Sequence, residues 1–324
     1  MRVLNFLAIA SAGLAASSSS SSFVSARHDP NSIMREVKEL SLYPPFIDTN
    51  YRPRFWDYGG DTLLDSFRGV RLTANLKYRS GFLWTQGQLP DDNWLVEVDL
   101  KVGGTSNFAG DGMVIWATTD RMRPGPVFGS MDFFNGLGLF MDTYPNGGNT
   151  GHKQLQGIPF PRIIGILGNG QKSYNHDTDG WEQRSGDCAA AFRDTIGITR
   201  LQISYQKGQF LQVMVSPPGD PNFKHCFSVE KVTLPSGLYL GFSAKTGEAS
   251  DDHTVLGVVT STLKDSTKSM GHISITGQTV GPQRDYGGSA VTFGGFLKFV
   301  IFVGIIGAAA YGYKRVTSTR KSRF

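Results

Sequence analysis

The chain has 324 residues, of which 40% are hydrophobic and 18% are charged, so it can bury a large core and is not an intrinsically disordered protein. Its 2 cysteines are too few for a disulfide-stapled miniprotein, and its 40 glycines are typical of many short strands joined by tight turns. The formal net charge of +5 is concentrated in residues 314–324, which contain basic residues and no acid. Without that segment the charge is near zero, which argues against a nucleic-acid-binding protein.

The first 26 residues have the pattern of a secretory signal peptide. Arg2 precedes an apolar run at 3–16, and a serine tract is then followed by the small-residue site at 24–26. We expect a signal peptide at 1–26 with cleavage before Arg27. The alternative, an N-terminal membrane anchor, requires a longer apolar segment than this one.

Short apolar segments, several of them alternating with polar residues, recur between turn residues along the middle of the chain. They predict strands at 94–102, 112–118, 136–143, 163–167, 201–205, 210–215, 237–244 and 253–262. The strands on either side of Gln206, Lys207 and Gly208 predict a hairpin. None of these segments is long enough for an amphipathic helix, so we expect an all-β protein with two packed antiparallel sheets, a sandwich or a jelly roll.

The C-terminal part predicts a single membrane crossing. Residues 264–292 are polar and have no heptads, which favours a stem. Residues 293–313 are apolar, and about 21 residues in a helix span roughly 31 Å, enough for a bilayer core. The basic tail 314–324 then lies in the cytosol and the domain 27–263 in the lumen, as in a type I membrane protein. The alternative is a buried core helix, which the basic flank disfavours.

A lumenal domain lies in an oxidising compartment, where a pair of cysteines forms disulfides readily. Cys188 and Cys226 are the only cysteines of the chain. We therefore predict a disulfide between them, with two free buried thiols as the alternative.

Two oxygen-rich segments are candidates for a metal site. The run from Asp142 to Asn146 follows an apolar strand, and the segment 174–180 contributes Asp177 and Asp179. Calcium prefers six to eight hard oxygen ligands, which loops at strand ends can supply. The same residue types also build ordinary turns, so this spacing alone leaves both interpretations open. The sequence has no hydrolase elbow, P-loop or zinc motif, so we do not expect an enzyme.

Beyond these patterns, the chain resembles the leguminous-type (L-type) lectins of the early secretory pathway. The resemblance is carried by 111–146 (DGMVIWATTDRMRPGPVFGSMDFFNGLGLFMDTYPN), FWDYGG at 55–60, YNHDTDG at 174–180, the two cysteines and SAKTGEASDDH from Ser243. It covers residues 40–262. The short stem without heptads is more similar to that of the vesicular integral membrane lectins than to that of the long-stemmed intermediate-compartment lectins.

The resemblance implies a jelly-roll-like, legume-lectin sandwich with a sugar site in its loops. Calcium (Ca2+) would be the cofactor, held by Asp142, the backbone carbonyl of Tyr144, Asn146 and Asp179. Mannose hydroxyls would be bound by Asp111, Asn146 and His176, and the backbone amides around Gly247 and Glu248 would complete the site. Without the resemblance, the interpretation of Asp111, Asn146 and His176 as ordinary turn or surface residues would be preferred.

The sequence departs from the family pattern at the sugar site. Phe82 stands where a small hydroxyl residue usually precedes the aliphatic–Trp pair, and it could stack on a sugar or block a subsite. Glu248 and Ala249 stand where Gly or Asp and then Leu are common. These residues put the fine specificity for glycans in doubt.

The basic tail is similar to the family's transport signals for vesicle coat proteins. Lys321, Arg323 and the terminal Phe324 form the candidate signal, in which Ser322 interrupts dilysine spacing. The tail therefore favours forward export over retrieval.

We expect a calcium-dependent cargo receptor that binds high-mannose N-glycans on glycoproteins and moves in vesicles between endoplasmic reticulum and Golgi. The first alternative is a lectin-fold transport adaptor with a degenerate sugar site that binds protein partners. The second is a lumenal glycosidase, for which the sequence offers no identifiable carboxylate pair.

Overall fold

The computed structural model of the protein describes residues 34–104, 109–146 and 158–263. The expected signal peptide, stem, membrane helix and cytosolic tail lie outside these residues, as do Lys321, Arg323 and Phe324. Within the described ranges, no helix is long and apolar enough to cross a membrane.

The described residues are organised almost entirely as β-strands, with short 3-10 helices at Lys38–Leu40, His176–Thr178 and Trp181–Gln183. The strands in chain order are β1 (Met34–Glu36), β2 (Trp56–Gly60), β3 (Leu63–Asp65), β4 (Gly69–Thr73), β5 (Ser80–Gln88), β6 (Asn93–Gly103), β7 (Gly112–Thr118), β8 (Asn135–Asp142), β9 (Arg162–Asn169), β10 (Arg184–Ala189), β11 (Thr199–Gln206), β12 (Phe210–Ser216), β13 (Lys224–Glu230), β14 (Tyr239–Lys245) and β15 (Asp252–Leu263).

The strands form two antiparallel sheets. The 8-stranded sheet has the order β13-β12-β11-β6-β15-β4-β3, with β1 also paired to β15. The 7-stranded sheet has the order β10-β9-β8-β7-β14-β5-β2. The predicted all-β sandwich of two antiparallel sheets is therefore confirmed, including the hairpin of β11 and β12.

The central strands β7 and β8 of the 7-stranded sheet are buried on both faces, toward which their successive side chains point alternately. On β7, Met113 and Ile115 belong to the large core between the two sheets, whereas Val114 and Trp116 belong to a second cluster on the other face. Loop residues such as Phe128 cover this second cluster. Double burial explains why β7 and β8 read as nearly continuous apolar runs and were predictable from the sequence.

The predicted disulfide is present and joins the edges of the two sheets. Cys188 lies on β10 and Cys226 on β13, with their Cα atoms 5.2 Å apart. β10 ends the 7-stranded sheet and β13 ends the 8-stranded sheet. The bond therefore closes one side of the sandwich, and it links residues 38 positions apart in the chain.

The register of the 7-stranded sheet brings three chain segments to one end. Gly112, at the start of β7, pairs with Asp142 at the end of β8 and with Lys245 at the end of β14. The loop after β14 and the loop before β7 consequently leave the sheet side by side. The segment between β9 and β10 supplies the rest of this region, as described below.

Candidate functional site

Asp111 lies immediately before β7, and its backbone is held from both neighbouring strands. Its amide donates to the carbonyl of Lys245 at 3.2 Å. Its carbonyl accepts from the amide of Thr143 at 3.2 Å and from the Thr143 hydroxyl at 3.0 Å. The peptide bond between Gly110 and Asp111 is cis. The hydrogen bonds to Lys245 and Thr143 hold the backbone from which the carboxylate of Asp111 projects.

Asp142 and Asp179 are the buried carboxylates of the site, at 1% and 0% exposure. One oxygen of Asp142 accepts from the amide of Tyr144 at 2.9 Å. Asp179 accepts from the backbone amide of Asn146 at 2.8 Å and from its side-chain amide at 2.6 Å. The structure thus brings together four residues that the sequence assigned to calcium.

In the described part of the chain, the charges that act on Asp142 and Asp179 are those of other carboxylates. Burial raises the pKa of Asp142 well above its usual value of 3.8, and the neighbouring Asp179 adds to the effect. Burial also raises the pKa of Asp179 to about 6, although the hydrogen bonds from Asn146 oppose the shift. The pKa of Asp111 is raised too, mainly by burial, while Lys245 lowers it. A cation placed among these groups would stabilise all three carboxylates.

The donor set of the cluster suits a hard cation such as calcium. The second carboxylate oxygen of Asp142 is buried and accepts no hydrogen bond from the described residues. Among those residues no three His, Cys, Asp or Glu side chains form a metal site on their own. Asn146 and the Tyr144 carbonyl would therefore have to add oxygen ligands, and the Asn146 amide, whose nitrogen faces Asp179, would have to turn over.

Two clefts open above the carboxylates and share Asp111 and Asn146 in their walls. The larger has a volume of about 520 Å³ and is also lined by Lys77, Tyr144 and Glu248. The other has a volume of about 440 Å³ and is bounded by Phe128, His176 and Lys245 among others. Asp111 and Asn146 therefore lie where the two clefts meet.

His176 opens the 3-10 helix that leads to Asp179, and it is exposed at the second cleft. Asn175 caps this helix by accepting from the amide of Asp177 at 3.0 Å. Partial desolvation lowers the pKa of His176 below 6.5 and outweighs the opposing effects of Asp132 and Asp177. The imidazole is therefore neutral at pH 7, and one ring nitrogen can accept a hydrogen bond from a sugar hydroxyl.

Gly247 approaches the carboxylate of Asp111 closely. A Cβ at this position would lie 3.2 Å from Asp111 Oδ1. The Gly247 amide donates to the carbonyl of Ala249 at 3.1 Å, so it is engaged within its own turn. Gly247 thus provides room beside Asp111, and donation from its amide to a sugar would require this turn to rearrange.

Phe82 and Glu248, two of the three departures from the family pattern, occupy different positions relative to the clefts. Glu248 lines the larger cleft and pairs with Lys77, whose Nζ is 2.8 Å from its Oε2. Phe82 packs over Gly59, where a Cβ would lie 2.5 Å from its ring. Phe82 is not among the residues that line the two clefts. The structure therefore groups Glu248, but not Phe82, with the other predicted site residues.

Sequence reasoning missed two lysines that flank the site. Lys77 lines the larger cleft and Lys245 the smaller one. Lys245 could have been found because it directly follows the predicted strand 237–244, inside a segment that carries the family resemblance. Lys77 gives no such signal, since it reaches the cleft only through the contact between the β4–β5 and β14–β15 loops.

The family model for the legume-like lectin family matches residues 34–270. The chain is 38% identical over 226 residues to the vesicular integral-membrane protein VIP36 of Mus musculus, a match that covers 68% of this chain and 60% of that protein. It is 31% identical over 231 residues to an L-type lectin-like domain-containing protein of Schizosaccharomyces pombe, covering 71% of this chain and 72% of the relative. The chain thus spans about 60% of the length of its VIP36 relatives.

Solved structures agree with this assignment. The metal-free form of the VIP36 exoplasmic/lumenal domain matches with a TM-score of 0.65 and 36% identity, covering 71% of this chain and 95% of that one. Its Ca2+/Man2-bound form matches with a TM-score of 0.64 and 36% identity, covering 71% and 90%. The family model covers most of the chain and the fold is the same, so the chain belongs to the legume-like lectin family.

Proposed function

We propose that this protein is a calcium-dependent lectin that binds high-mannose N-glycans on glycoprotein cargo. The observation that carries the proposal is the pair of buried carboxylates, Asp142 and Asp179, of which Asp179 is hydrogen-bonded to Asn146, a residue in the walls of both clefts. A cluster of this kind has no evident use in an apolar sandwich, because buried charges are costly unless they are paired or hold a metal.

When bound, calcium would neutralise Asp142 and Asp179 and fix the amide of Asn146. With that amide fixed, its nitrogen can donate to a sugar hydroxyl. Asp111 accepts from vicinal hydroxyls, and its raised pKa indicates a desolvated carboxylate, for which charged hydrogen bonds are strong. His176, neutral at pH 7, accepts or donates at the opposite side of the sugar.

The solved structures of the relatives support this assignment. The VIP36 lumenal domain has been solved in Ca2+/Man-bound and Ca2+/Man3GlcNAc-bound forms, which match with 35% and 36% identity. The present chain has the residue types needed for the same ligands at the end of its 7-stranded sheet. The lectin family name also favours binding over glycoside hydrolysis.

We further propose that the lectin domain is lumenal and that the protein is a type I membrane receptor between endoplasmic reticulum and Golgi. This part depends on the sequence of residues 1–26 and 264–324, which lie outside the described residues, and on the vesicular, integral-membrane names of the relatives. Vesicle coat proteins would bind the tail through Lys321, Arg323 and Phe324. Slower export of Phe324→Ala in a pulse-chase assay would support the signal, and an unchanged rate would contradict it.

Glycan-array binding by the full chain, with and without a calcium chelator, tests the lectin proposal. We expect binding to high-mannose glycans in calcium and its loss in chelator. Binding to no glycan in calcium would contradict the proposal, and release of reducing sugar would indicate a glycosidase instead.

One observation favours the lectin-fold adaptor as a second candidate. The ion pair of Lys77 and Glu248 occupies a wall of the larger cleft, where a sugar beyond the first would lie. If this pair blocks glycans, the same surface remains free for a protein partner. Unchanged cargo export after loss of all glycan binding would support this candidate.

A further inference from the structure

A buried ion pair outside the sugar clefts contacts the loop that carries Asp111. The carboxylate of Asp251 is fully buried, and Arg193 binds it through Nε at 2.9 and 3.0 Å and through Nη2 at 2.8 Å. Arg193 comes from the loop between β10 and β11. Neither residue is among the candidates for calcium or sugar binding.

The second oxygen of Asp251 accepts a hydrogen bond from the amide of Gly110 at 3.1 Å. This bond fixes the orientation of the peptide that joins Ala109 to Gly110, and Gly110 immediately precedes Asp111. Gly110 also packs closely on Ala249, where a Cβ would lie 2.7 Å away. The ion pair thus holds the loop of Asp111 against the loop that contains Gly247 and Glu248.

Hydrogen bonds on the side of the ion pair that faces away from Gly110 hold the pair in place. The amide of Asp194 donates to the carbonyl of Val102 at 3.1 Å, and the amide of Gly104 donates to Asp194 at 2.6 Å. The hydroxyl of Thr73 donates to the carbonyl of Asp251 at 3.2 Å. Both partners are therefore anchored to β4 and β6 of the 8-stranded sheet or to the chain directly after them.

We propose that Arg193 and Asp251 are positioning residues for sugar binding, which orient the Asp111 carboxylate through the amide of Gly110. The proposal depends on the function proposed above. A carboxylate that must accept from two vicinal hydroxyls has to be held within a fraction of an ångström, and Asp111 is not among the expected calcium ligands. Lys245 and Thr143 hold the backbone of Asp111 on the side of the sheet. The ion pair holds the preceding residue, Gly110, from outside the site.

The test compares full-chain variants in three measurements: mannose affinity, Ca2+ affinity, and hydrogen exchange at the Gly110 amide. In Arg193→Met we expect faster exchange at Gly110 and mannose affinity lowered by about tenfold, with Ca2+ affinity unchanged. Arg193→Lys keeps the charge and should fall between this variant and the parent. The matched control is Arg200→Met, which removes an arginine from the buried Asp99 on the 8-stranded sheet and should change none of the three.

Parental exchange at Gly110 and parental mannose affinity in Arg193→Met would overturn the proposal. A parallel loss of Ca2+ and mannose affinity would overturn it too, because that pattern indicates general damage to the site. If Arg193→Met does not fold, Arg193→Lys decides by the same criteria. If the parent binds no mannose, the proposed function fails, and exchange at Gly110 alone decides whether Arg193 positions this loop.

Discussion

Asp251 and Asp142 are equally buried carboxylates that the fold treats in different ways. Asp251 receives a guanidinium from Arg193 and an amide from Gly110. Asp142 receives one amide, from Tyr144, and its other oxygen has no hydrogen-bond partner in the described part of the chain. Among the described residues, the charge that affects its pKa most is the like charge of Asp179.

This difference in partners distinguishes a carboxylate with a structural role, Asp251, from one that is available to bind a ligand, Asp142. A buried charge is tolerated when the chain supplies its own counter-charge, as it does for Asp251. Where the chain supplies none, the carboxylate either takes up a proton or binds an external cation. The raised pKa values of Asp142 and Asp179 indicate that these two carboxylates belong to the second case.

The largest effect on stability is expected from breaking the compensated pair. Arg193→Met leaves Asp251 buried without its counter-charge and should lower the free energy of unfolding by about 3–5 kcal/mol, measured by urea denaturation. Arg200→Met breaks a pair whose arginine is 38% exposed and should cost about 1 kcal/mol or less. Equal losses in the two variants would show that the burial of the Arg193 side chain and its hydrogen bonds to Asp251 do not matter.

The uncompensated pair predicts a pH dependence of the metal-free protein. Because the pKa of Asp179 is about 6 in the folded state and 3.8 otherwise, the folded state binds this proton more tightly. The stabilisation that this bound proton contributes is fully present below about pH 4 and is lost as the pH rises through 6. The free energy of unfolding then falls by up to about 3 kcal/mol. Urea denaturation in chelator should show this fall between pH 4 and pH 7.

Two comparisons isolate the contribution of Asp179. In Asp179→Asn the fall should be smaller, because the titrating carboxylate is gone. In the parent with saturating Ca2+ the stability at pH 7 should recover, because bound cation favours the ionised form. Superimposable pH curves for the parent and Asp179→Asn in chelator would contradict the account.

A smaller effect is expected from crowding Asp111. Gly247→Ala places a methyl group 3.2 Å from Asp111 Oδ1 and should weaken mannose binding by about fivefold, or roughly 1 kcal/mol, in calorimetric titrations. The control is Gly87→Ala on β5, where the added Cβ would meet only Leu40 at an ordinary 3.5 Å. Parental affinity in Gly247→Ala would show that Asp111 does not need this room.

Strands buried on both faces were predictable, and strands broken by small or polar residues were not. β7 was predicted with its observed ends, and β8 and β9 within two residues, because their apolar runs are uninterrupted. β5, β10 and β13 were missed as strands, since each contains glycines or charged residues within a short span. Their pairing depends on partners far along the chain.

The residues of the site also fall into a group that the sequence could predict and a group that it could not. Asp111, Asn146 and Asp179 could be assigned because they stand in motifs that the family shares. The ion pairs of Arg193 with Asp251 and of Lys77 with Glu248 join residues 58 and 171 positions apart, and nothing local in the sequence marks them as partners. Only the three-dimensional arrangement shows that the first pair contacts the loop of Asp111 and that the second lines the larger cleft.

The central claim is that Asp142 and Asp179 form a calcium site on which sugar binding depends. Calorimetric titration of the full chain with Ca2+ and then with mannose tests it in the parent, in Asp142→Ala and in Asp220→Ala, an exposed-loop control. The account predicts that mannose binds the parent and the control only with Ca2+, and that Asp142→Ala loses affinity for both ligands by at least about 100-fold. Mannose binding by Asp142→Ala, or by the parent in excess chelator, at parental affinity would contradict it.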